Sequence, residues 1–157
     1  MSDVRELANL LLKKGLTLSL AESCTGGKIA SLITDMPGVS EFFTGCAVTY
    51  SDSSKERLLN VSRNTLIQFG AVSAETAEEM ATGAKTLFGT DIAASATGIA
   101  GPQGGTDMKP AGTVFIAVTD GNSTECKRLA LSGSRGDIRE DTAKNLIRML
   151  TEFIESM

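Results

Sequence analysis

Ser23, Cys24 and Thr25 stand together in Ala21-Glu22-Ser23-Cys24-Thr25-Gly26-Gly27, between the apolar alternation Leu16-Thr17-Leu18-Ser19-Leu20 and the helix-like run Lys28-Ile29-Ala30-Ser31-Leu32-Ile33. Hydroxyls and glycines at a strand-to-helix junction put backbone N–H groups and side-chain oxygens at one point, which suits a bound anion or a mounted nucleophile. The same residues also describe a turn whose Ser or Thr caps the helix and whose glycines relieve crowding. The chain has no histidine. That excludes Ser-His-Asp and Cys-His catalysis, histidine-ligated metals and HExxH proteases. A hydrolase built on this stretch takes its base from Lys, Asp, Glu, Tyr or a terminal amine. Lys55, preceded by Tyr50 in Tyr50-Ser51-Asp52-Ser53-Ser54-Lys55, is the candidate. A lysine whose pKa is lowered by burial or a nearby cation, within reach of a serine, makes a Ser-Lys pair. Ser23 and Lys55 each follow a candidate strand, and neighbouring parallel strands bring such ends together. A solvated helix lysine is the alternative. Cys24 is a rival nucleophile, because a helix start lowers a thiol's pKa, but it ranks below Ser23 without a histidine to assist it.

Two further stretches carry chemistry. Residues 98–112, Gly98-Ile99-Ala100-Gly101-Pro102-Gln103-Gly104-Gly105-Thr106-Asp107-Met108-Lys109-Pro110-Ala111-Gly112, hold five glycines and two prolines between apolar runs. A connection of that length reads as a binding loop or a surface excursion, and its glycines let backbone N–H groups approach a ligand. It matches neither GxGxxG nor the Walker pattern. Arg135 and Arg139 lie one turn apart at the start of the last helix, where cations are unfavourable without a compensating anion. A phosphate would serve; so would Asp137, Glu140 or Asp141.

The elements that must position these residues follow from periodicity. A helix over Val4, Leu7, Ala8, Leu11 and Leu12 stops at Gly15. Strands are expected at 16–20, 47–50, 91–96, 113–119 and 125–131, the last two joined as an antiparallel hairpin through Asp120-Gly121-Asn122. Helices are expected after Gly27, through Leu58-Leu59, over 64–69 with Ser62 as a cap, and from Ser73 with Ala77, Met80, Ala81, Ala84, Leu87 and Phe88 on one face. A final helix spans 136–155. The expectation is a single α/β domain over 1–157, a three-layer α/β/α sandwich with a mixed, mostly parallel sheet of about five strands. With 157 residues, 41% hydrophobic and 22% charged, the chain can bury one substantial core. A net charge of −4 and a single tyrosine with no tryptophan argue against nucleic acid as partner. No run is long enough for a membrane span, and the N-terminus lacks signal-peptide grammar, so a cytoplasmic location is expected. Three cysteines without CxxC indicate neither a disulfide framework nor a zinc knuckle.

Taken in order, AESCTGG (21–27), VTYSDSSK (48–55), GAVS (70–73), TGIAGPQGG (97–105), KPAGTV (109–114) and GSRGDIR (133–139) resemble the CinA C-terminal domain family over about residues 4–155. Stand-alone members of that family are nicotinamide-nucleotide amidohydrolases. The resemblance implies hydrolysis of the carboxamide of nicotinamide mononucleotide to nicotinate mononucleotide and ammonia, with no metal or cofactor. It implies Ser23 as nucleophile, Lys55 as its base and Tyr50 as a proton-relay or positioning group. Thr25, Gly26, Gly27, Thr97, Gly98, Gly101, Gly104, Gly105, Arg135 and Arg139 match substrate-binding segments, with Arg139 the candidate phosphate anchor. A small-molecule nucleotide substrate and a homo-oligomer are expected, while nucleic acid and membrane are not. Longer members carry a preceding domain with pyrophosphatase activity, and that activity is not expected of these residues. Many members carry Gly-Asp-Arg where this chain has Gly133-Ser134-Arg135. A non-catalytic nucleotide-binding module, or an amidohydrolase for another small amide, are the alternatives.

Overall fold

The computed structural model describes residues 2–157. The elements run α1 (Ser2–Lys14), β1 (Leu18–Glu22), α2 (Lys28–Thr34), a 3-10 turn (Val39–Glu41), β2 (Phe43–Val48), α3 (Asp52–Leu59), α4 (Arg63–Phe69), α5 (Ala74–Phe88), β3 (Ile92–Gly98), β4 (Thr113–Thr119), β5 (Thr124–Ala130) and α6 (Arg135–Ser156). The sheet order is β2-β1-β3-β4-β5. β1 lies parallel to both β2 and β3, and β3/β4 and β4/β5 are antiparallel. Only β4 therefore runs against the others. α1, α2 and α6 cover one face and α3, α4 and α5 the other, the expected three-layer α/β/α arrangement.

The longest helix shows why the layers form. Ala143, Leu146, Ile147, Leu150, Phe153 and Ile154 recur at helical spacing on α6 and are buried with Leu7 and Leu11 of α1 and Ile29 and Ile33 of α2. Burying each large apolar side chain contributes about 1.5–3 kcal/mol. The helix begins with a capping box: Asp137 N–H donates to Ser134 Oγ, while Ser134 N–H donates to Asp137 Oδ2 at 2.8 Å.

Several boundaries differ from the periodicity reading. β1 starts at Leu18, because Leu16 N–H closes the end of α1 on Leu11 O at 3.0 Å and Thr17 is bound through its N–H and hydroxyl to the Asp91 carboxylate. It continues through Ala21 and Glu22, so the conspicuous stretch begins inside the strand rather than after it. β2 occupies Phe43–Val48 instead of 47–50, in register with β1 from Leu18↔Phe43 to Glu22↔Val48. Leu87, expected on the buried face of α5, is 48% exposed, while the neighbouring Phe88 packs against Gly45 of β2.

Candidate active site

Pairing of Glu22 with both Val48 and Ala96 brings the next residues, Ser23, Thr49 and Thr97, level at one edge of the sheet. Ser23 N–H still donates to Ala96 O at 3.0 Å and Thr49 N–H to Glu22 O at 2.8 Å. This is the carboxyl end of three neighbouring parallel strands, the usual place for a site in an open α/β sheet. Lys55 comes to it from α3, whose start is capped by Ser51 accepting from Ser54 N–H. Its side chain is 1% exposed, and its Nζ lies 3.0 Å from Ser23 Oγ and donates to Thr49 O at 2.8 Å. Burial lowers the Lys55 pKa below the ordinary lysine value; Asp52 and Cys24 oppose that shift. A buried amine tending to neutrality beside a hydroxyl is the arrangement that activates a serine.

Cys24, the adjacent residue, takes the opposite side. It packs in the apolar cluster with Leu20, Ala100 and Ile138, and burial pushes its thiol up to about 11. The expectation of a thiol activated by a helix start therefore fails, because desolvation of the thiolate outweighs the neighbouring cations.

A cleft of about 240 Å³ opens at this edge between Cys24, Tyr50, the Gly98–Gly104 arm of the loop and Arg135. Arg135 spans its mouth, donating through Nη1 to Gly101 O at 2.8 Å and through Nη2 to Tyr50 Oη at 2.9 Å. It is the only charged residue on the lining among the described residues. Two hollows of about 460 Å³ each lie elsewhere, one along Glu75, Glu78 and Glu79 and one along α1, and neither brings a nucleophile to a base.

Ser23 and Lys55 are not on the cleft lining and adjoin it through Cys24, the residue after Ser23; the other sequence candidates separate into those that line the cleft and those that support it. Gly98, Gly101 and Gly104 line it. Gly105 does not; it packs against the backbone of Pro110 and Ala111. Thr97 is buried and gives its hydroxyl to Ala71 O at 2.6 Å. Gly26 and Gly27 turn the chain with φ of 60° and 91°, conformations that a side chain would strain. Arg139 reaches Thr25 O with Nε at 3.2 Å and Nη2 at 2.6 Å, clamping the turn after Ser23. The hydroxyls of Thr25 and Thr49 are buried without a partner. Neither arginine pairs with Asp137, Glu140 or Asp141, which are taken by Ser134, Lys28 and Lys144. Backbone carbonyls compensate the two cations instead. Ser134 caps α6 through Asp137, and its side chain hydrogen-bonds to neither Arg135 nor Lys55.

Two residues absent from the sequence reading hold the site together. Lys109 Nζ donates to Val72 O at 2.6 Å and Phe69 O at 3.0 Å, fastening the glycine loop to the α4–α5 connection. Nothing local marks that lysine out. Glu22 is wholly buried, and its carboxylate accepts from the N–H groups of Gly27, Ile29 and Ala30 at the start of α2. An acid just before a helix was the available signal. The anion place suggested by the turn is thus filled by the protein's own side chain.

A sequence model of the CinA C-terminal domain matches residues 2–154. A CinA-like protein of Endomicrobium trichonymphae is 51% identical over 141 residues, covering 90% of this chain and 33% of that protein. A putative competence-damage inducible protein of Desulforudis audaxviator is 43% identical over 150 residues, covering 96% and 36%. The chain thus spans about a third of the length of these relatives. Among solved structures, a competence-damaged protein (CinA) superfamily protein from Klebsiella pneumoniae superposes with TM-score 0.96 at 34% identity, over 99% of this chain and 98% of that one. A competence/damage inducible protein from Agrobacterium tumefaciens gives TM-score 0.89 at 38% identity, over 96% and 94%.

Proposed function

The chain belongs to the CinA C-terminal domain family, and from that premise we propose that it hydrolyses the carboxamide of nicotinamide mononucleotide, giving nicotinate mononucleotide and ammonia. The observation that carries this reading is the buried Lys55 amine 3.0 Å from the Ser23 hydroxyl. In its neutral form the amine keeps one N–H on Thr49 O and turns its lone pair to the Ser23 O–H. Lys55 takes the hydroxyl proton as Ser23 Oγ attacks the carboxamide carbon, and the carbonyl oxygen becomes an oxyanion. The Cys24 N–H follows the nucleophile directly, and no carbonyl among the described residues claims it; it is the candidate donor to that oxyanion. Collapse of the intermediate expels ammonia, which takes the proton back from Lys55, or from Tyr50 at the cleft wall. Water then enters by the same base-assisted route, cleaves the acyl-serine and restores Ser23. In this reading Arg135, which lines the cleft, binds the substrate phosphate in place of Arg139, which is engaged with Thr25 O. The reaction calls for no metal or cofactor.

Ammonia release from nicotinamide mononucleotide in chelator-containing buffer tests this. Turnover is expected, with far slower release from nicotinamide, which offers Arg135 no phosphate. Equal turnover of the two amides would move the reading to a small-amide hydrolase, and tight calorimetric binding without turnover to a nucleotide-binding module. The replacement of the usual acid by Ser134 gives that module no support, because Ser134 serves as a helix cap.

A further inference from the structure

Glu22 is the last residue of β1 and the immediate neighbour of Ser23. A carboxylate with no exposed surface is costly unless hydrogen bonds replace its hydration. Here Oε2 accepts from Gly27 N–H at 2.9 Å and Ile29 N–H at 3.3 Å, while Oε1 accepts from Ala30 N–H at 2.8 Å and the Cys46 thiol at 3.5 Å. The three amides belong to the first turn of α2 and its cap, where helical partners are lacking and negative charge is favoured.

The consequence for Ser23 is geometric. The chain leaves Glu22, passes through Ser23, Cys24, Thr25 and Gly26, and returns at Gly27 to the Glu22 carboxylate, so that Ser23 is the first member of a closed ring. Gly26 N–H donates across the ring to Ser23 O at 3.1 Å, and Arg139 holds Thr25 O on its far side. Lys55 stands on another element, fastened to Thr49 O, and no hydrogen bond joins it to Glu22. Glu22 meets the base's anchor, Thr49, only through its backbone carbonyl, which accepts from Thr49 N–H at 2.8 Å; its carboxylate holds the nucleophile's loop and not the base.

We infer that Glu22 is the positioning residue of the nucleophile: its carboxylate closes the 22–27 ring onto the start of α2 and thereby sets Ser23 Oγ against the Lys55 amine. The inference rests on the reading of Ser23 and Lys55 as a reactive pair. Loss of the ring moves the nucleophile and leaves the base in place. A displacement on the ångström scale at a reacting atom costs up to about a hundredfold in rate.

The test uses phenylmethanesulfonyl fluoride, whose sulfonyl sulfur is attacked by Ser23 Oγ as fluoride leaves and the hydroxyl proton passes to Lys55. The rate of labelling at Ser23 is followed by mass spectrometry against pH, beside a thermal melt. Glu22→Gln keeps the size of the side chain but presents an amide N–H2 to backbone donors. It is expected to slow labelling by at least about tenfold at a temperature where the melt shows it folded, with the pH midpoint of labelling unchanged. Glu22→Asp, which keeps the charge but falls one methylene short, is expected to lie between Glu22→Gln and the parent. A folded Glu22→Gln labelled at the parent rate overturns the proposal, as does a pH midpoint that moves with the rate, which would make Glu22 an electrostatic partner of Lys55. If Glu22→Gln does not fold, Glu22→Asp carries the test, and parent-like labelling of it overturns the proposal. Failure of both to fold assigns Glu22 to the fold alone and overturns it as well. A parent protein that takes no label at Ser23 removes the nucleophile assignment and this inference together. A labelled parent with unaffected variants removes only this inference.

Discussion

On the face toward α1, α2 and α6 the strands present Leu18, Leu20, Ile92, Ile116 and Val118, whereas on the face toward α3 and α5 the same strands present Ser19, Ala21, Ala93, Ser95 and Ala117. The first face is bulky, and its helices answer with Leu, Ile and Phe. The second is small and hydroxylated, and α5 answers with Ala77, Ala81 and Ala84. Small residues on both sides let the backbones approach. They also leave hydroxyls that need partners, and these are found close by: Ser95 Oγ donates to Ala77 O at 2.5 Å and Ser19 Oγ meets Thr90 Oγ1 at 2.7 Å. Lys55 and Ser23 belong to this second face. Close approach is what carries the lysine amine down to the sheet, so the face with less apolar burial is the one that can hold chemistry.

If the division is real, stability and activity separate according to the face that is altered. The largest effect is expected at the pair itself. Ser23→Ala and Lys55→Ala should each lower ammonia release by at least about a hundredfold, with circular dichroism showing the fold retained. Near-normal turnover in either variant would remove that residue from the mechanism. Leu146→Ala on the bulky face should cost about 2–5 kcal/mol in a urea melt, while kcat of the folded fraction stays near the parent value. A comparable fall in kcat would break the separation. Gly83→Ala joins the two kinds of effect. An added Cβ would run into the backbone of Leu59, one helical turn beyond Lys55. It should cost about 1–3 kcal/mol and reduce kcat more than KM, by lifting α3 and its lysine away from Ser23.

A subtler test follows from the lysine's charge. The folded-state pKa of Lys55 lies below its unfolded value because burial disfavours the ammonium. Between those two values the unfolded chain binds more protons, so stability should rise with pH across that window and flatten above the unfolded pKa, near 10.5. Urea melts of Lys55→Met should lack that rise. The limb on which kcat/KM rises with pH, which reports deprotonation of the base, should in turn show a midpoint below 10.5. The smallest effect is expected for Ser95→Ala, which removes one buried hydrogen bond on the small face and should cost about 0.5–1.5 kcal/mol, with kcat near the parent value.

Much of this was visible in the chain before folding. The apolar period of α6, the hairpin turn at Asp120-Gly121-Asn122 and the strand-loop-helix form around Ser23 are local patterns, and local sequence dictates them. Parallel neighbours made the Ser23–Lys55 pairing possible, beside a solvated lysine, and the family resemblance singled it out. What stayed hidden involves contacts across long separations. Glu22 has no role in the sequence reading, and its burial makes sense only when α2 supplies the amides. The carbonyls of Gly101 and Thr25 that meet Arg135 and Arg139 lie far away in sequence and cannot be anticipated from helix position.

The sequence by itself determined that no histidine takes part, that a base must come from Lys, Asp, Glu, Tyr or a terminal amine, and that strands alternate with helices in an order suited to a parallel core. Those are matters of composition and short-range periodicity. Only the tertiary structure decided which face each residue serves. A one-residue step along β1 sends Glu22 to α2 and Ser23 to Lys55, because neighbouring side chains on a strand point to opposite sides. The depth to which Lys55 is buried, and with it the lowering of its pKa, depends on how closely α3 packs on Gly83 of α5. That closeness is a property of the packed layers rather than of any segment alone.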